Sequence, residues 1–331
     1  MTIEVPKSID LNVKNSESVA RLAQAAKNGG VETLLMIPAT KPIFDKLHLA
    51  YNLKRAKEEK INLLVAVEGI RENRLSDISI LKSKGASAIY INSDEDMNLI
   101  KRIFEYAEFL DIPVFVNCNN GSLSLGVMHD GPTAYSLGVN GIPSYAESAE
   151  VAKIYELSSH FNAKVVFQSV TTKESLEILK NRAENMYVDV CIDNLYFCDE
   201  DLKDFNSLYK TFPPLRSAED KEALLEACKN ETVDFISSNH IAATQKDVPL
   251  EEAEFGISKL DVFSQLAYSL PLKTETVTKL VSLNPAKLFG LEIKDYMYVE
   301  YGEYDISPDM ISSKGNLTPY KKLKASISFR D

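Results

Sequence analysis

The stretch "FISSNHIAAT" at 235–244 reads as a buried strand that runs out into a small-residue loop on a polar pair, Asn239-His240. In proteins built from strand-helix repeats, catalytic groups collect at the C-terminal ends of strands. An Asp-His pair there could bind a metal and move a proton. An Asn-His pair cannot do the second, because an amide accepts no proton at neutral pH and so cannot activate water as a general base. The other histidines are His48, His129 and His160. His48 and His160 fall in helical patterns, where surface or packing roles are expected. His129 lies in "GVMHDG" beside Asp130, and with His240 these would form at most a sparse metal site, so solvation is the preferred reading. Cys118, Cys191, Cys198 and Cys228 lack CxxC spacing, which favours buried free thiols over disulfides or a zinc-thiolate site. Lys14 ends the first apolar run. Its ammonium could supply positive charge against Glu68 or Asp10, with an ordinary ion pair or a solvated head group as the preferred reading. A Schiff-base role would need a depressed pKa.

These residues are positioned by a regular rhythm of short apolar runs and amphipathic stretches. The runs are "IDLNV" at 9–13, "ETLLMIP" at 32–38, "NLLVAVE" at 62–68, "SAIYIN" at 87–92, "PVFVNC" at 113–118, "KVVFQSV" at 164–170, "MYVDVCI" at 186–192 and "VDFISSN" at 233–239. Parallel strands buried on both faces give such runs, and the intervening segments have helical spacing, as in "ESVARLAQAAKNGG" and "DEDMNLIKRIFEYAEFL". Eight repeats predict an α/β (β/α)8 TIM barrel rather than a doubly wound sheet, and no glycine-rich phosphate fingerprint follows the first run. The Gly-, Ser- and Asn-rich segment 119–144 is expected to cover the barrel mouth. The tail turns to alternating aromatic and polar residues, so the chain divides into a barrel at 1–292 and a small β appendage at 293–331.

A net charge of −11 over 331 residues argues against a nucleic-acid surface, and 45% apolar residues suffice for a large core. The N-terminus lacks the marks of a secretory signal and no run is long enough to span a membrane, so a cytoplasmic protein is expected.

Several segments in order resemble the dihydroorotase family of the amidohydrolase superfamily, the longer-chain type related to dihydropyrimidinases. "IPATKPIFD" at 37–45 resembles the family's "MPNTxPxxD", "GIPSYAESAE" its "GIPxxAE", and "FPPLRSAEDKEAL" its "NPPLRSxxDREAL". "FGISKLDVF" resembles its "FGIxGLE" and "NPAKLFGL" its "NPAxxxGL", so the likeness runs from about residue 8 to 292. It implies the metal-dependent barrel fold and hydrolysis of dihydroorotate to N-carbamoyl-L-aspartate with zinc. The resemblance also locates departures. The family's HxHxR is here "NVKNS", with Asn12, Lys14 and Ser16; its substrate asparagine is Ala39, beside Thr40; and Ile91-Asn92 stand where its acidic metal bridge is aligned. Two more histidine ligands appear as Asn117 and Ser169, and "DHAPH" becomes "NHIAA", so Asn239 replaces the aspartate that ligates metal and shuttles protons while His240 is kept.

The resemblance therefore implies a degenerate, non-catalytic dihydroorotase homologue without zinc. Inactive homologues of this kind assemble with aspartate transcarbamoylase, which makes that enzyme the expected partner, alongside self-association into a homo-oligomer. The alternatives are an active cyclic-amide hydrolase with an altered site recruiting His129, His240, Glu68 or Asp130, and a metabolite-binding module using Lys14, Arg216 and Thr40. Arg216 matches the family's "PPLR" arginine, and structural pairing with an acidic neighbour is the reading set beside anion binding. Family members have more β structure before the first barrel strand than precedes residue 9 here, so an unpaired appendage edge is expected. His240→Ala is expected to leave stability nearly unchanged.

Overall fold

All eight apolar runs form strands of one parallel sheet in the computed structural model, which describes residues 2–38 and 41–329. Ala39 and Thr40 lie outside the described residues. After a peripheral strand β1 (Thr2–Pro6), the barrel strands are β2 (Ser8–Lys14), β3 (Val31–Ile37), β4 (Asn62–Glu68) and β5 (Ala88–Asn92). They continue as β6 (Val114–Asn117), β7 (Val165–Gln168), β8 (Met186–Cys191) and β9 (Phe235–Ser237), each paired in parallel with its predecessor. The ring closes where Val13 bridges His240 in parallel: Lys14 N donates to His240 O at 3.1 Å and His240 N to Asn12 O at 3.3 Å.

Helices return the chain between strands, and their ends obey local chemistry. Met97–Leu110 begins at Asp96, whose carboxylate accepts from the backbone N–H groups of Asn98 and Leu99. Val19–Asn28 stops at Gly29-Gly30. A Cβ at Gly29 would stand 1.9 Å from the Leu260 carbonyl oxygen, so only glycine permits that approach, and Gly30 has a left-handed φ of 71°.

Strand alternation sorts the side chains. Val65, Val67, Ile89, Ile91, Val114, Val116, Val188 and Val190 face the helices. Ala66, Ala88, Phe115, Val166 and Phe235 fill the lower barrel, closed below by Ala286 and Leu288. Two residues further along each strand the inward positions become Glu68, Tyr90, Asn117, Gln168, Asp189 and Ser237. The barrel is thus oily below and polar above.

The appendage is a three-stranded antiparallel sheet in which β10 (Tyr296–Asp305) lies between β1 and β11 (Lys322–Ser328). It therefore takes a strand from Thr2–Pro6, which a division at residue 292 assigns to the barrel, and that strand covers the β10 edge expected to be open. Ser269 Oγ accepts from the N–H groups of Lys324 and Ala325, fixing β11 to the helix Phe263–Ser269. Tyr320 donates its hydroxyl to Asp193 Oδ1 at 2.6 Å, and Asp193 also pairs with the Lys259 ammonium, all three side chains being buried. Removing one partner of a buried ion pair strands the other charge. Lys259→Met is expected to lower the unfolding free energy by about 3–5 kcal/mol in urea titration.

Candidate functional site at the barrel mouth

A cavity of about 430 Å³ opens at the C-terminal ends of the strands, bounded by Lys14, Glu68, Tyr90, Asn92, Asn117, Gln168, Ser169 and Asn239. Its apolar wall is Phe212, Pro213, Ile241 and Phe255. The expectation that 119–144 covers the mouth is corrected: among the described residues, none of that segment lines the cavity. Its apolar side chains Met128, Ala134 and Val139 are instead buried with Leu202, Leu215 and Leu250 on the flank.

The residues at former ligand positions bond to one another or to backbone. Asn12 Nδ2 donates to Ser169 Oγ at 2.8 Å, and Asn117 Nδ2 donates to Asn92 Oδ1 at 3.1 Å. Tyr90 donates its hydroxyl to the same Asn92 oxygen at 3.2 Å, and Asn239 Nδ2 donates to the Phe212 carbonyl at 2.8 Å. Ser169 and Asn239 both have left-handed φ values, 53° and 48°. That conformation is uncommon for side-chain-bearing residues and gathers at functional strand ends.

Lys14 is buried and donates to the neutral Gln168 Oε1 at 3.4 Å, its nitrogen 5.6 Å from the centre of the Tyr90 ring. Desolvation lowers its pKa to about 8, against the opposing pull of Asp189, Cys191 and Asp10. The partners foreseen were Glu68 or Asp10. Asp189 is the first of its electrostatic partners, Asp10 is among the others, and Glu68 is not. Asp189 is itself fully buried, accepting from Ser169 N at 3.0 Å and Ser237 Oγ at 3.0 Å, and burial raises its pKa to about 7. Asp10, which accepts from the N–H groups of Asn12 and Ser238, is raised by burial as well. Burial likewise raises Glu68, with Arg71 opposing.

The other candidate residues lie elsewhere. His240 is turned away from the mouth: its Nδ1 accepts from Lys259 N and Leu260 N, both at 3.2 Å, which leaves Nε2–H to donate to Glu17 Oε2 at 3.4 Å. Its side chain is fully buried and ties the closure of the barrel to the loop beyond Phe255. The expectation that His240→Ala would be tolerated is therefore corrected. Arg216 is also buried away from the cavity, donating to Thr171 Oγ1 at 3.0 Å and Ile142 O at 2.8 Å, with Glu147 3.9 Å away. It pairs with an acidic neighbour, and neither it nor His129, 3.4 Å from its Nη1, reaches the mouth. Asp193 and Asn194 follow β8 in the short helix Ile192–Tyr196, where Asn194 donates to Pro214 O at 3.1 Å. All four cysteines are buried and free. Among the described residues, no three His, Cys, Asp or Glu side chains converge to hold a metal.

Gln168, Asp189 and Tyr90 were not singled out from the sequence, and Asp10 was named only as a partner for Lys14. The first three were legible by stepping two residues along a strand from an inward apolar position, from Val166, Tyr187 and Ala88 respectively. Asp10 was not, since the β2–β3 register shifts between Asp10 and Val13 and breaks that count.

A closed parallel barrel with a polar upper layer and a mouth framed by strand ends defines a (β/α)8 barrel. No family model matches the chain. The solved L-hydantoinase (dihydropyrimidinase) from Arthrobacter aurescens shares the fold with a TM-score of 0.84 at 15% identity, over 98% of this chain and 83% of that one. The dihydroorotase of Geobacillus sp. (strain WCH70) is 30% identical over 331 aligned residues, 92% of this chain and 78% of that protein. The dihydroorotase of Thermoanaerobacter sp. (strain X514) is 28% identical over 337, 94% of this chain and 78% of its own length. The chain belongs to the dihydroorotase family.

His240→Ala leaves the Lys259 and Leu260 N–H groups and Glu17 without their partner, and is expected to cost about 2–4 kcal/mol by urea unfolding. Because Asp189 is raised on folding, the folded chain holds more protons than the unfolded chain between pH 3.8 and about 7, and stability from this group falls as pH rises through that window. Asp189→Asn should flatten the fall when urea midpoints are compared across it.

Proposed function

We propose that this dihydroorotase-family barrel has lost hydrolytic chemistry and serves pyrimidine biosynthesis in the cytoplasm as a structural or regulatory partner, with aspartate transcarbamoylase as the associate the resemblance implies. Its parts are a barrel of 1–292 and an appendage of 293–331 that recruits Thr2–Pro6. The observation that carries this reading is the direct bond from Asn12 Nδ2 to Ser169 Oγ, 2.8 Å long, between two positions where the resemblance sets histidine ligands.

The zinc of the family does not fit this donor set. Zinc is held by imidazole, thiolate or carboxylate. Here the amides of Asn12 and Asn239 point their N–H groups at Ser169 and Phe212 O, and Lys14 brings a proton-bearing nitrogen to the same mouth. The exposed Leu125, Tyr135 and Tyr145, beside a shallow depression on the 119–145 surface, support association with another protein.

The rival reading, an active cyclic-amide hydrolase with an altered metal site, is favoured by kinship with dihydroorotases. Of the residues it would recruit, Glu68 lines the mouth, whereas His129 and His240 are engaged by Arg216, Lys259 and Glu17.

Elemental analysis of protein purified from zinc-supplemented cells tests the two. Zinc near zero per chain, no turnover of dihydroorotate by wild type or Asn239→Asp, and co-elution with aspartate transcarbamoylase are expected. About one or two zinc ions per chain together with turnover would establish the hydrolase instead.

A further inference from the structure

The mouth contains a group with no role in a scaffold. Lys14 extends from β2 into the cavity, and among the described residues no ion pair holds its ammonium: its hydrogen bond, at 3.4 Å, goes to the neutral amide of Gln168. A lysine kept for structure alone gains by pairing with a carboxylate or reaching water, and burial without either is costly. Around it, Gln168 Nε2 and Asn239 Oδ1 have no hydrogen-bond partner, although both side chains are almost fully buried and line the cavity. Both residues border a space of about 430 Å³ walled on one side by Phe212 and Phe255, a size and lining suited to a small organic molecule.

The same geometry disfavours an anion as occupant. Lys14 is the one cationic side chain among the described residues that line the cavity, Arg216 is engaged elsewhere, and Glu68 shares the wall. We propose that Lys14 is an amine nucleophile that captures a small uncharged aldehyde or ketone in the barrel mouth as an imine. This rests on the reading that the mouth holds no metal.

In the proposed step the Lys14 Nζ lone pair attacks the carbonyl carbon. The C–N bond forms as the carbonyl π electrons move to oxygen, which takes up a proton while the nitrogen loses one, giving a carbinolamine. Loss of the second nitrogen proton and expulsion of the protonated hydroxyl as water then leaves the C=N bond. No oxidant or reductant is needed. The unprotonated amine that the step requires is populated because desolvation brings Lys14 to about 8. Glu68, raised by burial, lines the same cavity and can return a proton to the departing oxygen. Gln168 borders the cavity beside Lys14, and the aromatic wall of Phe212 and Phe255 takes the hydrocarbon.

The test treats zinc-free wild-type protein, its metal content measured on the same sample, with propanal or benzaldehyde and sodium cyanoborohydride at about pH 8, followed by peptide mass mapping. The hydride reduces the imine to a stable secondary amine. Lys14 is expected to be labelled at least about tenfold faster than the exposed lysines, and the rapid phase should be missing from Lys14→Met. Labelling of Lys14 no faster than that of surface lysines in zinc-free protein would overturn this inference and leave the scaffold reading intact. Stoichiometric zinc in the sample would overturn both. Because the primary readout is the wild-type map, poor folding of Lys14→Met does not blunt the test.

Discussion

The barrel depends on one seam. Residues 12–14 and 238–240 exchange backbone hydrogen bonds to close the ring, and the His240 side chain extends that seam outward to the Lys259–Leu260 backbone and to Glu17. Both nitrogens of a buried imidazole must be satisfied, and here one accepts while the other donates, so the ring is fixed in tautomer and orientation. Lys259 then carries the constraint further, since its side chain pairs with Asp193, to which the appendage attaches through Tyr320. A histidine that the family resemblance sets in a catalytic motif is in this chain a structural keystone linking strand β2, strand β9 and the tail.

Above the seam the inward layer is polar but held largely by neutral groups. In a low-dielectric interior, an isolated charge is costly and an amide that both donates and accepts is cheap to satisfy. Asn12, Ser169, Asn92, Asn117 and Tyr90 bond pairwise across strand ends. The exceptions are the titratable groups Lys14, Glu68, Asp189 and Asp10, each displaced by burial toward its neutral form. A mouth arranged in this way suits recognition through hydrogen bonds and an amine that gives up its proton near pH 8 better than ionic grip or activation of water.

Much of this was legible beforehand. The eight strands came from apolar runs because a strand covered by helices on one side and barrel interior on the other must be apolar on both faces through most of its length. Lys14, Asn117, Ser169 and Asn239 line the mouth, as expected of residues at or just past the C-terminal ends of barrel strands. Arg216 stood between two readings and His240 was misjudged for a common reason: a side chain at the rim can turn into the cavity or behind it. Which way is set by partners distant in sequence, Glu147 and Thr171 for the first, Glu17 and Lys259 for the second. The segment 119–144 was misplaced likewise, because composition marks a loop and not the apolar surface it packs on.

The sequence by itself determined the number and order of the strands, the barrel they form, the family and the identity of the groups at the strand ends, since these depend on local periodicity and motif. Only the tertiary structure decided that Asp189 rather than Glu68 faces Lys14 electrostatically, that Asn12 bonds Ser169 across 157 positions of chain, and that residues 2–6 complete the appendage. Contacts between distant segments depend on register and strand stagger, and a single shift between Asp10 and Val13 re-aims the side chains of the strand beyond it.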